Sequence, residues 1–353
     1  MIITALDPRH GRCSLTIDSA EDLWALRRLI AKGDVVVTRS SRVVKREEEY
    51  SRPDKGERVK LTIALSVSEV HLDSSIERIR LKGTIVEASD ESVTKSGSHA
   101  VTLSPGQSVT IRKQRWTPLD TRIVKPPQSA SPRFVLVAAD RREAGVGTLS
   151  GSHLSVVATI ESGLGGKMSG EQDPGPYLSK VVGVLSQSTR PGDEIVITGP
   201  GNFKNSVANL VRGRVKSVPV RMLEGADVTG SDGVRSMVRS PAFRELAKGT
   251  VLVTMQGLVD EFVRRVSLGD QRVAYGLARV KEAADAGVVE SCVVSDDVFS
   301  AVTDEDALVE VLNTIESKRG AVYLADSSVD FGKQVSSFSG IVALLRYPFR
   351  ASR

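Results

Sequence analysis

The chain has 353 residues, 40% of them hydrophobic and 26% charged, a composition typical of a globular protein with two or three domains. It lacks both a run of about 18 apolar residues that could cross a bilayer and the basic and apolar start of a signal peptide, so we expect a cytoplasmic protein. Residues 1–125 carry the whole excess of positive charge, with 22 Lys and Arg against 17 Asp and Glu. Such an excess favours contact with nucleic-acid phosphates.

The first third of the chain carries short strand patterns and one helical pattern. Apolar residues alternate over residues 59–67, and similar patterns occupy 78–89 and 99–116. The single helix is predicted over residues 19–33, with a capping pair at its start and a glycine as its stop. Several short strands with one helix favour a small bent-sheet barrel.

Acidic residues near the start of that helix have two explanations. Clustered carboxylates could hold a divalent metal for phosphodiester hydrolysis, and the weak candidates for such a site are Asp18, Glu21 and Asp22. A helix N-terminus also favours negative charge, and Ser19 with Asp22 has the spacing of a capping pair. The helix explanation is the stronger one, so the sequence predicts no definite catalytic or metal site.

A proline-rich segment divides the chain. Residues 125–133 hold three prolines and two serines, which interrupt any regular element. The predicted domains are therefore 1–125, a linker at 126–132, a central domain at 133–256 and a C-terminal domain at 257–353.

Alternating strand and helix patterns follow the linker. Strands at 133–140 and 153–160 are predicted to pair, and a helix near 177–186 precedes a strand at 194–199. A second α/β unit contains a predicted helix over 273–287. Its later elements are a strand at 290–296, a helix opened by a capping box at residues 303–306, and strands at 321–326 and 340–348.

Cysteine and histidine give little evidence of chemistry. Cys13 and Cys292 lie far apart and outside any zinc-binding spacing, so two reduced, buried thiols are expected. The four histidines have no second ligand three or four residues away, which disfavours a histidine metal site.

Two glycine-rich segments could form sites. The segment at 162–172 contains Gly165, Gly166 and Lys167, but its residues depart from the phosphate-binding loop pattern at two positions. The segment at 198–206 places a Gly-Pro-Gly turn between an apolar strand and a helix, where backbone N–H groups face outward. A plain strand-to-helix turn explains the second segment equally well.

Four colinear segments resemble Pelota, the archaeal and eukaryotic paralogue of the class-1 translation release factor. They are "RIRLKGTIVE", "GPGNFKNS", "RVAYGLARVKEAADAGVVESCVVSDDVF" and "FSGIVALLRYPF", and the likeness covers the whole chain. The resemblance implies a multidomain α+β and α/β protein with an N-terminal Sm-like β-barrel, a central RNase H-like mixed sheet with helices, and a C-terminal α-β-α sandwich.

The resemblance also implies a function. Such factors enter the A site of a stalled ribosome, where they meet the mRNA, are delivered by GTP-bound elongation factor 1-alpha, and assist an ABC-type ATPase in splitting the subunits. It implies a monomer when free, no required cofactor, and no peptide release, because Lys167 stands where release factors carry glutamine. A divalent-metal endoribonuclease acting through the N-terminal domain is the alternative function.

Residue roles follow from the same resemblance. Contacts with the GTPase or tRNA are implied for Lys167 and for Pro200, Gly201 and Phe203, although Asn202 is inserted before Phe203 here. The long segment at 43–60 is implied to enter the mRNA channel, with its cations on phosphates and its tyrosine stacked on a base. Its candidate RNA-binding and ribosome-binding residues are Lys45, Arg46, Tyr50, Arg52, Lys55, Arg58 and Lys60.

Overall fold

A computed structural model of the chain describes residues 1–44, 57–73, 77–89, 98–125, 132–163, 173–215, 218–225 and 227–349. At residues 41–44 and 57–60 it describes the backbone alone. In the described part of the chain, no helix has the length and apolar character needed to span a membrane.

The described part of residues 1–125 is β-rich, as its alternating patterns predict. Its elements are β1 (Ile2–Asp7), β2 (Arg12–Thr16), α1 (Ala20–Leu29), β3 (Val35–Val44), β4 (Glu57–Asp73), β5 (Arg78–Ala88), β6 (Ser98–Leu103), β7 (Ser108–Arg112) and α2 (Pro118–Val124). The strands form one antiparallel sheet in the order β1-β2-β7-β3-β4-β5-β6. Two register shifts between β4 and β5 let this long strand pair bend.

Helix α1 confirms the predicted capping pair. Ser19 is the N-cap residue, and the Asp22 carboxylate accepts a hydrogen bond of 3.1 Å from the Ser19 backbone N–H. Leu23 and Leu26 are buried in the core, and the helix ends at Leu29, four residues before the predicted Gly33 stop. Local chemistry therefore determines the start of this helix, while its end lies about one turn before the predicted stop.

The central part of the chain forms a mixed sheet with helices. Its elements are β8 (Phe134–Ala139), β9 (Glu143–Ser150), β10 (His153–Glu161), α3 (Gly175–Ser188), β11 (Glu194–Thr198), α4 (Phe203–Arg214), β12 (Val220–Met222), α5 (Gly230–Arg239), α6 (Pro241–Leu246) and α7 (Val251–Ser267). The strand order is β10-β9-β8-β11-β12, with parallel pairs among β8, β11 and β12. Helix α7 runs through the predicted boundary at residues 256 and 257.

The predicted pairing of the strands at 133–140 and 153–160 is wrong. Strand β9 lies between β8 and β10 and pairs with both. The sequence conceals β9 because Gly145 and Gly147 interrupt its apolar alternation. The glycine at 145 is needed for packing, since a Cβ there would lie 2.0 Å from the Gly230 carbonyl oxygen.

The last part of the chain forms a smaller sheet. Its elements are β13 (Val273–Tyr275), α8 (Leu277–Asp285), β14 (Val289–Ser295), α9 (Val298–Ala301), α10 (Glu305–Ser317), β15 (Ala321–Ala325), α11 (Asp330–Ser337) and β16 (Ile341–Leu345). The strand order is β13-β16-β14-β15. Asp304 caps α10 by accepting the Ala307 N–H at 3.0 Å, so the helix begins within the predicted segment 303–306 but is capped one residue after the Thr303 that opens the predicted capping box.

The helix predicted over residues 273–287 begins too early. Residues Val273–Tyr275 instead form β13, which pairs with β16. Gly276 has a φ of +77° and separates the strand from α8. A valine and a tyrosine next to a glycine are typical of a strand and its turn, so the local sequence does carry this signal.

The chain forms two compact units. The first comprises residues 1–128, 284–287 and 297–321, and the second comprises 129–283, 288–296 and 322–353. The predicted fold class, a multidomain α+β and α/β protein with three successive β-containing parts, is confirmed. Both cysteines are free and buried, as expected, and burial raises the pKa of Cys13.

Candidate functional site

The Gly-Pro-Gly turn after β11 places both of its glycines in backbone conformations that other residues rarely adopt. Gly199 has a φ of +148°, and a Cβ there would lie 2.0 Å from the Ala139 carbonyl oxygen. Gly201 has a φ of +62° and is exposed, and Pro200 is half-buried between them. Asn202 occupies the N-cap position of α4, so the inserted asparagine lies at the helix start. The turn therefore presents Gly201 and Asn202 at the surface.

Phe203 is the first residue of α4 and has an aromatic partner. Its ring stacks on Tyr177 of α3, with centroids 5.7 Å apart and planes at 20°. The Tyr177 hydroxyl donates to the Asp140 carbonyl oxygen at 3.0 Å. Burial, with the nearby Asp140 and Glu143 carboxylates, raises the pKa of Tyr177, so the hydroxyl stays a donor. Phe203 is half-buried, which leaves part of its ring free for a partner.

Lys204 fixes the first turn of α4 from the other side. Its side chain is buried, and its ammonium pairs with the exposed Glu224 carboxylate after β12. The candidate surface thus rests on packed residues of two helices and the central sheet.

The acidic residues at the start of α1 serve the fold. One Asp22 oxygen accepts the Met1 amine at 2.5 Å, and the other accepts the backbone N–H groups of Asp18 and Ser19 at 2.7 and 3.1 Å. Asp18 and Glu21 are half-buried. In the described part of the chain, no group of three His, Cys, Asp or Glu residues could hold a metal ion. These contacts explain Asp22 as a helix cap and give the endoribonuclease hypothesis no support.

Most of the predicted RNA-contacting residues lie outside the described residues. These are Lys45, Arg46, Tyr50, Arg52 and Lys55, and the same holds for Lys167. Arg58 and Lys60 lie in β4, where their backbones pair with Val43 and Ser41 of β3. The strand ladder extends to Val44 and Glu57, so the ladder reaches both flanks of the predicted RNA-contacting segment.

A cluster of buried arginines in the first unit was not anticipated from the sequence. Arg27 contacts Glu305 at 3.0 Å and Asp306 at 2.7 Å, and Arg28 contacts Glu316 at 2.8 Å. The two arginine side chains are only 2% and 3% exposed. We call these five residues the buried arginine cluster. Its acidic partners lie far along the chain on α10, so no local pattern could reveal the pairing.

The cavity beside this cluster is electrically balanced. It encloses about 400 Å³, and its lining carries four cations besides His71 and four anions. These are Arg27, Lys32, Arg80 and Lys82 with Glu69, Asp304, Glu305 and Asp306. Burial opposes the ionisation of Asp306, but hydrogen bonds from Lys32 and Arg27 outweigh it and lower the Asp306 pKa. Because its charges neutralise one another, this cavity favours neither an anion nor a cation.

Comparison with known proteins decides the family. A model of the Pelota N-terminal domain matches residues 3–126, and one of eRF1 domain 3 matches residues 252–349. The protein pelota homolog of Cenarchaeum symbiosum (strain A) is 34% identical over 348 residues, covering 98% of this chain and 99% of that protein. The chain belongs to the Pelota family. The homolog of Nitrosopumilus maritimus (strain SCM1) is likewise 34% identical, covering 95% and 96% of the two chains.

The fold agrees with this assignment. The crystal structure of the Thermoplasma acidophilum Pelota protein has a TM-score of 0.63 and 21% sequence identity, and the match covers 99% of this chain and 100% of that one. The predicted resemblance to Pelota is therefore confirmed. Within a Pelota-family chain, the N-terminal match falls on the segment with the excess positive charge, and the second match begins in α7.

Proposed function

We propose that this protein recognises stalled ribosomes in the A site and promotes their dissociation into subunits. The observation that carries the proposal is family membership along nearly the whole chain, at 34% identity over 98% of its length. The placement of all excess positive charge in residues 1–125 supports it, because a domain in the decoding site must face RNA phosphates. On this proposal residues 45–60 contact mRNA, with Arg58 and Lys60 anchored in the β3–β4 ladder.

Delivery by GTP-bound elongation factor 1-alpha is part of the proposal. The turn at Pro200 and Gly201, with the half-buried Phe203 behind it, is the proposed contact. Its support is geometric, because two glycines with positive φ and a stacked aromatic pair make a rigid, exposed corner. An aromatic ring held in this way is a typical interface anchor. An ABC-type ATPase is the proposed partner in splitting, and the factor acts in the cytoplasm.

The proposed factor does not hydrolyse peptidyl-tRNA. Lys167 follows Gly165 and Gly166, where a release factor carries glutamine. An ammonium group has three donors and no acceptor, so it cannot position water as an amide does. A Lys167→Gln substitution alone should not create the activity, since water positioning also needs a supporting loop.

A reconstituted splitting assay tests the proposal. Ribosomes stalled on truncated mRNA are mixed with the protein, GTP-loaded elongation factor 1-alpha and the ABC-type ATPase, and subunit separation is followed by light scattering. We expect splitting that depends on the protein, with peptidyl-tRNA left intact on gels. Absence of splitting, or peptide release at the rate of a release factor, would contradict the proposal.

Charge reversal tests the role of the N-terminal segment in the same assay. Changing Arg52, Lys55, Arg58 and Lys60 to Glu should abolish splitting and leave binding to the GTP-loaded elongation factor unchanged. A matched control reverses four exposed cations elsewhere: Arg212, Arg214, Lys248 and Arg279. Normal splitting by the first variant would remove residues 45–60 from the ribosome contact.

A further inference from the structure

A small cavity in the second unit is lined by three arginines. It encloses about 60 Å³ beside α5, α6 and α11. Arg235, Arg239 and Arg244 line it, together with Gln256, Ser328 and Asp330 on its polar side. We call it the arginine cavity. Leu154, Val238, Leu252, Val329 and Phe331 complete its lining and give it an apolar floor.

Helix geometry brings the three arginines together. Arg235 and Arg239 are four residues apart on α5, which places them on one side of the helix. Val234 and Met237 occupy the buried side of α5, so both arginines remain exposed. Ser240 caps α6 by accepting a hydrogen bond of 3.1 Å from the Phe243 N–H, and this turn returns the chain so that Arg244 faces the same cavity.

The described residues compensate only part of the positive charge of the arginine cavity. Arg239 pairs with Asp330 at 3.1 Å, but both side chains are about half exposed, so the pair is weak. Within the described ranges, the side chains of Arg235 and Arg244 make no hydrogen bond or ion pair. Three cations therefore face one anion. Like charges held this close favour binding of an anion from solution.

The start of α11 adds to this preference. Its N-cap residue is Val329, whose side chain has no oxygen to accept the first N–H groups of the helix. Ser328, just before it, is exposed and lines the cavity with a hydroxyl donor. A helix N-terminus carries a partial positive charge, so it acts in the same direction as the three guanidinium groups.

Size and donor geometry select the anion. A volume of 60 Å³ holds about four water-sized groups, which suits the four oxygens of one phosphate and is too small for a nucleoside. The guanidinium fork matches phosphate oxygens with two parallel hydrogen bonds. We propose that the arginine cavity binds one backbone phosphate of an RNA chain. The choice of RNA as the source of the phosphate rests on the proposed function, whereas the phosphate chemistry rests on the cavity alone.

RNA binding by matched variants tests this inference. The full-length protein is titrated into a fluorescein-labelled, unstructured 20-nucleotide RNA, and anisotropy gives Kd over a range of KCl concentrations. The cavity variant changes Arg235, Arg239 and Arg244 to Gln. The control variant changes Arg212, Arg214 and Arg279 to Gln. These arginines are also exposed, their side chains make no hydrogen bond or ion pair with the described residues, and they do not line the cavity. The assay contains no ribosome, GTPase or ATPase, so its failure is distinguishable from a failure of subunit splitting.

We expect the cavity variant to bind this RNA at least about tenfold more weakly than the wild type, and the control variant to stay within about twofold. Loss of one phosphate contact should lower the slope of log Kd against log salt by about 0.7 for single-stranded RNA. Equal weakening of the two variants, or no weakening in the cavity variant, would overturn the inference. If the triple variant does not fold, Arg235→Gln replaces it, since the Arg235 side chain makes no hydrogen bond or ion pair with the described chain, and about threefold weaker binding is then expected.

A second arm distinguishes RNA from free phosphate. Inorganic phosphate is titrated against the wild type and the cavity variant, and binding is followed by ³¹P NMR line broadening. Unchanged RNA affinity in the cavity variant, together with loss of saturable phosphate binding, would identify a free anion as the ligand and overturn the RNA assignment. Weaker RNA binding by the cavity variant, together with displacement of RNA from the wild type by millimolar phosphate, would support the RNA assignment.

Discussion

Two groups of arginines in this protein differ in how their charge is balanced. In the buried arginine cluster, Arg27 and Arg28 are almost fully buried and each meets a carboxylate within 3.0 Å. In the arginine cavity, Arg235 and Arg244 are exposed and lack a described partner. A buried charge must be paired within the fold, whereas an exposed, unpaired cluster keeps its donors for a ligand. Charge balance thus distinguishes arginines that hold the fold from arginines that can bind.

The largest expected effect separates the two groups by stability. Arg27→Ala leaves Glu305, which is only 10% exposed, with His71 and the Leu72 N–H as its remaining partners, and should lower the free energy of unfolding of the first unit by about 3–5 kcal/mol. Arg235→Ala should change stability by less than about 0.5 kcal/mol, as is usual for an exposed side chain. Urea unfolding followed by tryptophan fluorescence measures the effect of Arg27→Ala, because the two tryptophans of the chain, Trp24 and Trp116, both lie in the first unit.

Hydrogen exchange at the amides of the second unit provides the matching readout for Arg235→Ala. Equal destabilisation by the two substitutions would contradict the distinction between a structural and a binding cluster. Arg27→Lys serves as a further control, since it keeps the charge and loses the second hydrogen bond.

A buried carboxylate next to the arginine cavity tests whether that region also has structural charges. Asp326 is buried, and its oxygens accept the N–H groups of Leu154 and Ser328 at 3.1 and 2.7 Å. Burial opposes its ionisation, but hydrogen bonds from His153 and Ser328 outweigh that effect and lower its pKa. Asp326→Asn replaces one of the two accepting oxygens by an NH2 donor and should cost about 1–3 kcal/mol, seen as faster exchange of the Leu154 amide.

The pH dependence of Asp326 has a defined sign. Since its folded pKa is lowered, the carboxylate stabilises the fold fully above its unfolded pKa of about 3.9. That contribution is lost as pH falls through the folded pKa, and the Asp326→Asn protein should lack this part of the acid transition. An identical acid transition in both proteins would show that other carboxylates control it.

The aromatic pair at the proposed GTPase contact is expected to have a smaller structural role. Phe203→Ala should weaken the complex with GTP-loaded elongation factor 1-alpha by about 1–3 kcal/mol if the ring is an anchor. Tyr177→Phe is the control, since it keeps the stacked ring and loses only the hydrogen bond to Asp140. Isothermal titration measures both. Equal losses would indicate a change in the central fold, and unchanged affinity of a folded Phe203→Ala protein would remove the ring from the interface.

Local signals in the sequence predict much of the fold. The cap of α1 at Ser19 and Asp22 is encoded within four residues and is predicted, and the start of α10 is predicted to within one residue, because its cap is Asp304 and not Thr303. Strand β9 was missed because Gly145 serves close packing against a distant carbonyl, which alternation cannot show. Strand β13 carries a local signal, a valine and a tyrosine before Gly276, but only its pairing with β16, far along the chain, fixes it as a strand.

The candidate sites also differ in whether a contiguous stretch of sequence encodes them. The turn at Pro200 and Gly201 was predicted from its sequence, because the strand, glycines and helix are contiguous. The arginine cavity is not predicted from the sequence. Its one local signal is the spacing of Arg235 and Arg239, four residues apart on α5. Its third arginine and its Asp330 come from other elements, and only the tertiary fold reveals that they share a cavity. The RNA-contacting role of residues 45–60 stays a prediction.

The smallest effect is expected from removing the negative charge of Asp330 in the arginine cavity. Asp330 is the one acidic residue among those that line the arginine cavity, and it is 58% exposed. Asp330→Asn removes its competition for Arg239 and should tighten binding of the 20-nucleotide RNA by about two- to threefold, the size expected for one exposed charge. Anisotropy at low salt measures it, and the gain should shrink as KCl rises because exposed charges are screened. In the buried arginine cluster the corresponding change, Glu305→Gln, should leave RNA affinity unchanged and lower stability instead, since its partner Arg27 is buried. Weaker RNA binding by the Asp330→Asn protein would mean that the carboxylate orients Arg239 for its ligand, and the cavity would then work as a pre-arranged pair and not as a site of uncompensated charge.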